Sequence, residues 1–231
     1  MWERQLALAD RGWRVIAPHF RSFDGGSGDP PALSIDDYAG DVVDLLDALH
    51  IHEAVVGGLS MGGYVAFALL RHAARYVHGL ILADTKAQAD TPDGVEGRKR
   101  MIELVAAKGP AAVAEEMIPK LLGETTRRTR PDVVDLVRAL ATSSSAEAIA
   151  GALRALMTRP DSTPQLPTIH VPTLIVVGDE DTVTPRAAAE ELHRGIVGSE
   201  LMTIREAGHL TNLEQPDAFD ATVARFLDHR V

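Results

Sequence analysis

At 231 residues with 45% hydrophobic side chains, the chain can build one domain with its own core, and a second independent domain is not expected. A formal net charge of −10 argues against nucleic acid or an anionic membrane as the main partner, because like charges repel. The absence of cysteine excludes thiol nucleophiles, disulfides and thiolate metal sites, and fits a reducing cytoplasm as the expected compartment.

Charged residues Glu3, Arg4, Asp10, Arg11 and Arg14 interrupt the N-terminal segment, which has no secretory-signal pattern. No apolar run approaches the ~20 residues of a membrane helix. The next residues, 2–9, read as the end of an amphipathic helix, with Gly12 as a left-handed stop. A strand is expected at 14–17, closed by Pro18, and a loop rich in Gly, Asp, Ser and Pro at 21–31. Ser34 is placed to cap a helix running to about residue 49, with Asp36 and Asp37 in its first turn. Then come a strand at 53–57, a helix at 61–73 and a strand at 77–83.

The alternation stops at about residue 87. Residues 87–158 carry a purely helical pattern, broken at Gly109-Pro110, Gly123 and Pro131. Ser144 and Glu147 have capping-box spacing for the last of these helices. The basic clusters Arg98-Lys99-Arg100 and Arg127-Arg128-Thr129-Arg130 fall in this block and read as solvated faces. Alternation resumes with a buried strand at 173–177, a helix at 186–194, a strand at 200–204 and a helix at 216–228. Short β-branched runs alternating with helices specify an α/β fold, a mostly parallel sheet covered by helices. A helical block between strands predicts a core formed by residues 1–86 and 161–231, with 87–160 inserted as a lid; extra helices packed on the side of the domain are the alternative.

Gly58-Leu59-Ser60-Met61-Gly62 matches G-x-S-x-G, which places a serine on a sharp strand-to-helix turn. Such a turn needs close packing on both sides, assigned here to the two glycines, with Gly57 and Gly63 extending the small-residue zone. It also sets Ser60 at a helix N-terminus, where amide donors stabilise negative charge. The alternative is a Gly-rich turn with a capping serine. A serine nucleophile needs a base, and among nine histidines His209 stands out because it follows Gly208 in a short loop between the last strand and the last helix. His72, His78 and His193 lie in helical or strand patterns, while His19, His50, His52, His170 and His229 have no comparable placement. The base needs a carboxylate to hold its tautomer. Asp181, Asp179 and Asp84 all follow strands, and the chain order Ser60, Asp181, His209 favours Asp181.

Together with Trp13-Arg14-Val15-Ile16-Ala17-Pro18, these stretches resemble the α/β-hydrolase superfamily, and within it small serine esterases and 3-oxoadipate enol-lactonases. The match Gly178-x-x-Asp181-x-x-x-Pro185 selects Asp181 over Asp179. The resemblance implies a serine hydrolase acting on a small carboxylic ester or lactone, with Ser60 as nucleophile, His209 as base and Asp181 as orienting acid. It implies an oxyanion hole containing the Met61 N–H, and no metal or organic cofactor. In that family three strands precede the one matched at 14–17, and the third ends in a His-Gly-type loop with a second oxyanion donor. The chain is therefore expected to be N-terminally truncated relative to the family. His19-Phe20-Arg21-Ser22-Phe23 also departs from the family's Asp-x-Arg-Gly-x. Two other readings stand beside the hydrolase. One is a truncated or non-catalytic hydrolase-like protein with an incomplete oxyanion hole. The other keeps the same triad but has a different acyl acceptor, a C–C bond substrate or peroxide chemistry.

Overall fold

A computed structural model describes residues 1–23, 32 and 34–231, so most of the loop expected at 21–31 lies outside the described residues. Four parallel strands form one sheet in the order β1 (Ala54–Leu59), β2 (Val77–Ala83), β3 (Thr173–Gly178) and β4 (Glu200–Ile204). Leu59 pairs with Ala83, Ala83 with Val176, and Gly178 with Ile204. All four strands therefore end at one carboxyl edge, from which the chain continues into Ser60, Asp84 and the loops carrying Asp181 and His209.

The strands are apolar on both sides, as a sheet covered by helices requires. Leu80, Leu82, Ile175 and Val177 face one cluster with Phe67 of α2 (Met61–Ala73) and Leu192 of α7 (Arg186–Gly195). Alternate residues Ile81, Ala83, Leu174 and Val176 face the other, with Phe219 and Phe226 of α9 (Pro216–Arg230). Helix α1 (Ile35–Ala48) opens with a full capping box between Ser34 and Asp37 and packs Ile35 and Tyr38 into a third cluster with Tyr64 and Leu69 of α2.

Residues 14–17 do not form the expected strand. Among the described residues no strand lies beside them, and an isolated β-segment has nothing to satisfy its backbone groups. The preceding turn is 3₁₀ (Arg4–Arg11) rather than α, and Gly12 closes it at φ 92° as anticipated. This segment is held on α9 by Gln5 Nε2 donating to Asp220 at 2.7 Å, by the Arg4–Asp217 ion pair and by Trp2 against Phe219.

Between β2 and β3 lie α3 (Pro92–Leu121), α4 (Glu124–Thr129), α5 (Pro131–Thr142) and α6 (Ala146–Met157). Gly109, at φ 77°, interrupts α3. The cap of α6 is Ser145, whose hydroxyl accepts from Ala148 N at 3.0 Å, not Ser144 as the spacing with Glu147 suggested. Where the chain enters α3 and leaves α6, the buried Arg159 guanidinium donates to Asp90 at 2.8 Å and stacks 4.2 Å from the Tyr64 ring centroid. Ala114, Ile118 and Leu122 reach down into the cluster that also holds Leu59 and Leu210, chain neighbours of Ser60 and His209. No helix among the described residues is long and apolar enough to cross a membrane.

Candidate active site

Ser60 stands between β1 and α2 at φ 52°, ψ −111°, a backbone conformation that L-residues rarely adopt. Three hydrogen bonds hold it there. Its N–H donates to Ala83 O at 2.9 Å, and its carbonyl accepts from Gly63 N at 3.0 Å and from Thr85 Oγ1 at 2.8 Å. Its side chain does not cap α2, so the capping-serine alternative does not describe this turn. The space requirement also differs from the expected pair of glycines. A Cβ on Gly58 would sit 2.2 Å from the Gly62 carbonyl, and one on Gly63 would sit 2.5 Å from Thr85 Oγ1, whereas one on Gly62 would meet nothing within 4 Å.

Ser60, Asp181 and His209, separated by up to 149 residues, meet in one hydrogen-bonded chain. The Ser60 Oγ to His209 Nε2 distance is 2.8 Å, and His209 Nδ1 to Asp181 Oδ2 is also 2.8 Å. With Asp181 ionised, Nδ1–H donates to it, which leaves Nε2 to accept from the serine hydroxyl. The imidazole is buried, and the carboxylate of Asp181 is fully enclosed. Oδ1 of Asp181 accepts from Val183 N at 2.8 Å and Thr184 N at 3.0 Å; Oδ2 accepts from Thr184 Oγ1 at 2.7 Å. Burial alone would raise the pKa of Asp181. The His209 hydrogen bond, the electrostatic influence of His209 and the Thr184 donors outweigh it and hold the group below the usual carboxylate range.

The competing carboxylates go elsewhere. Asp84, fully buried, accepts from Gly178 N at 3.0 Å and from Thr211 N and Oγ1 at 3.2 and 2.6 Å. It therefore joins the β3 end to the loop after His209. Burial, partly offset by the electrostatic influence of His209 and by the Thr211 and Gly178 hydrogen bonds, pushes its pKa up to about 7. Asp179 is not among the hydrogen-bond partners of His209: Nδ1 is taken by Asp181. Met61 is the first residue of α2, and the first N–H groups of a helix have no partner inside it.

Thr184 and Glu214 escaped the sequence reading. Thr184 carried a weak signal, three residues after a carboxylate. Glu214, five residues after His209, carried none, because its partners include Gly123, 91 residues away. No group of three or more His, Asp or Glu residues among the described residues is arranged to hold a metal ion.

An apolar cavity of about 220 Å³ lies among α3, α5, α6 and Phe23, lined by Val113, Met117, Leu121, Val137 and Ile149. Leu121 joins it to the site: its carbonyl accepts the His209 N–H at 2.9 Å.

A family model for the alpha/beta hydrolase family matches residues 1–222. The chain is 31% identical to 3-oxoadipate enol-lactonase 2 of Acinetobacter baylyi over 96% of its own length and 82% of the relative's. Among solved structures, a thermophilic esterase from Thermogutta terrifontis superposes with a TM-score of 0.93 at 38% identity, over 97% of this chain and 83% of that one. The enol-lactonase from Burkholderia xenovorans superposes with a TM-score of 0.89 at 28% identity, over 99% and 86%. The parallel sheet, the serine turn at its carboxyl edge and the match over nearly the whole length agree: the chain belongs to the alpha/beta hydrolase family.

Proposed function

We propose that the chain is a serine hydrolase that cleaves small carboxylic esters through Ser60, His209 and Asp181. The observation that carries this reading is the hydrogen-bonded chain from Ser60 Oγ through the imidazole to Asp181, 2.8 Å at each link. Ser60 Oγ attacks the ester carbonyl while His209 Nε2 takes its proton. Asp181 keeps Nδ1 protonated and stabilises the imidazolium. The Met61 N–H, aided by the positive end of α2, stabilises the oxyanion. Collapse breaks the C–O bond, His209 gives its proton to the departing alkoxide, and an acyl ester on Ser60 remains. Water, deprotonated by His209, then attacks that ester and returns the free serine.

The helices of 87–160 act in this reading as a lid, with the 220 Å³ cavity as the seat of one substrate arm. Its described lining is apolar apart from Ser144 and carries no cationic side chain, which favours an uncharged ester over an enol-lactone bearing a free carboxylate. Incubation with a fluorophosphonate probe is expected to label the protein at Ser60, and Ser60→Ala is expected to lose both labelling and p-nitrophenyl butyrate hydrolysis. A folded protein that hydrolyses nothing and takes no label would point to the non-catalytic alternative.

A further inference from the structure

His209 is held from both sides by one buried carboxylate. Glu214 lies in the short helix α8 (Thr211–Glu214) and is 0% exposed. Its Oε1 accepts from Gly208 N at 2.9 Å and Leu210 N at 3.1 Å, the residues immediately before and after His209. Its Oε2 accepts from Gly123 N at 2.8 Å, at the entry to α4 of the helical insertion. The insertion also reaches His209 directly, since Leu121 O accepts the His209 N–H. The two backbones can approach this closely because both are glycine: a Cβ on Gly208 would lie 2.4 Å from Gly123 N. A second tie runs beside the first, where Glu180, next to Asp181, accepts from Thr125 N at 2.8 Å.

We propose that Glu214 is a positioning residue for His209, and that through it the end of α3 and the start of α4 determine where the imidazole stands. The proposal rests on the reading of His209 as the general base. The chemistry asks for a carboxylate. Three backbone donors arrive from two directions, and both oxygens must accept. An amide of the same shape has one acceptor, so its NH₂ must face either Gly123 N–H or the pair flanking His209, donor against donor. Leaving such buried donors unmet is unfavourable, and the loop shifts to relieve it. The insertion is thus part of the scaffold of the acid–base residues as well as a cover.

The test uses the full chain. Turnover of p-nitrophenyl butyrate and the second-order rate of fluorophosphonate labelling are compared for wild type and Glu214→Gln, at a temperature where circular dichroism shows both folded. A displaced imidazole is expected to lower kcat and the labelling rate about 10–100-fold, with KM changed less than threefold. A fall of less than tenfold in kcat would overturn the proposal. Should the variant not fold, amide hydrogen exchange in the wild type decides. Protection factors of Gly123, Gly208 and Leu210 within tenfold of one another support a common tie, and a wider spread overturns it. A wild type that takes no label at Ser60 would instead count against the proposed function, while the exchange measurement still reads the tie itself.

Discussion

The hydroxyl of Thr184 and the imidazole of His209 converge on the same oxygen, Oδ2 of Asp181, with Thr184 Oγ1 2.7 Å and His209 Nδ1 2.8 Å away. Thr184 Oγ1 and Nδ1 are themselves 3.2 Å apart. The threonine thus fixes the carboxylate plane against which the imidazole aligns. Thr184→Val keeps the shape and the backbone N–H but removes the hydroxyl. Asp181 then loses one of the donors that keep its pKa low. The expected outcome is a kcat about tenfold lower with KM nearly unchanged, since a hydrogen bond to a charged group is worth roughly 1.5–3 kcal/mol. Steady-state kinetics on p-nitrophenyl butyrate check this, and an unaltered kcat would count against it.

The backbone at Ser60 trades stability for geometry. At φ 52° and ψ −111° a serine carries strain that glycine does not. Ser60→Gly is expected to abolish hydrolysis and to raise unfolding stability by about 1 kcal/mol, the lower end of what such conformations cost. Urea unfolding measures it; a clear loss of stability would show that the turn is not strained.

Glycines 62 and 63 should respond in opposite ways. Gly62→Ala places its methyl in open space within α2 and is expected to leave the melting temperature unchanged or slightly higher. Gly63→Ala drives a methyl into the Thr85 side chain, which also holds Ser60 O, and is expected to lower stability by about 1–3 kcal/mol. Thermal denaturation of the two variants compares them directly.

Two buried carboxylates give pH dependence of opposite sign. Burial raises the folded pKa of Asp84 to about 7, so its contribution to stability is complete below about pH 4 and declines as pH rises to about 7. Asp90 behaves in the reverse sense. Burial works against ionisation there, but hydrogen bonds from Arg98 and Arg159 hold it down to about 2, so its contribution is present above about pH 4 and fades as pH falls toward 2. Urea unfolding from pH 4.5 to 7.5 is expected to show a smaller stability loss with rising pH in Asp84→Asn than in wild type. An unchanged slope would mean that Asp84 is ionised throughout.

At neutral pH, Asp90→Asn leaves the Arg159 guanidinium buried and under-compensated where the chain enters α3 and leaves α6. Removing one partner of a buried pair in this way typically costs about 3–5 kcal/mol. A change under 1 kcal/mol in urea unfolding would indicate that the pair contributes little.

Much of the scaffold is legible in the amino-acid sequence, because its signals are local. The elbow at Ser60 is announced by a β-branched run before it and an apolar helix after it, and the strand at Glu200–Ile204 and the helix from Met61 have the bounds their patterns suggested. Strands of a parallel sheet all end on one side, so position after a strand singled out His209 but left Asp181, Asp179 and Asp84 open; only chain order and the Gly178-x-x-Asp181-x-x-x-Pro185 resemblance favoured Asp181. What pattern could not decide are relations that depend on a neighbour distant in the chain. Residues 14–17 have the composition of a strand, yet a strand exists only where a partner lies beside it, and among the described residues none does. Ser145 caps α6 in place of Ser144 because the path of the chain, and not the spacing to Glu147, decides which hydroxyl meets the free N–H groups. Gly63 matters more than Gly62 because Thr85 happens to pack there. The role of Glu214 is set wholly by tertiary structure, since a carboxylate in a helix says nothing about the three amides that folding gathers around it.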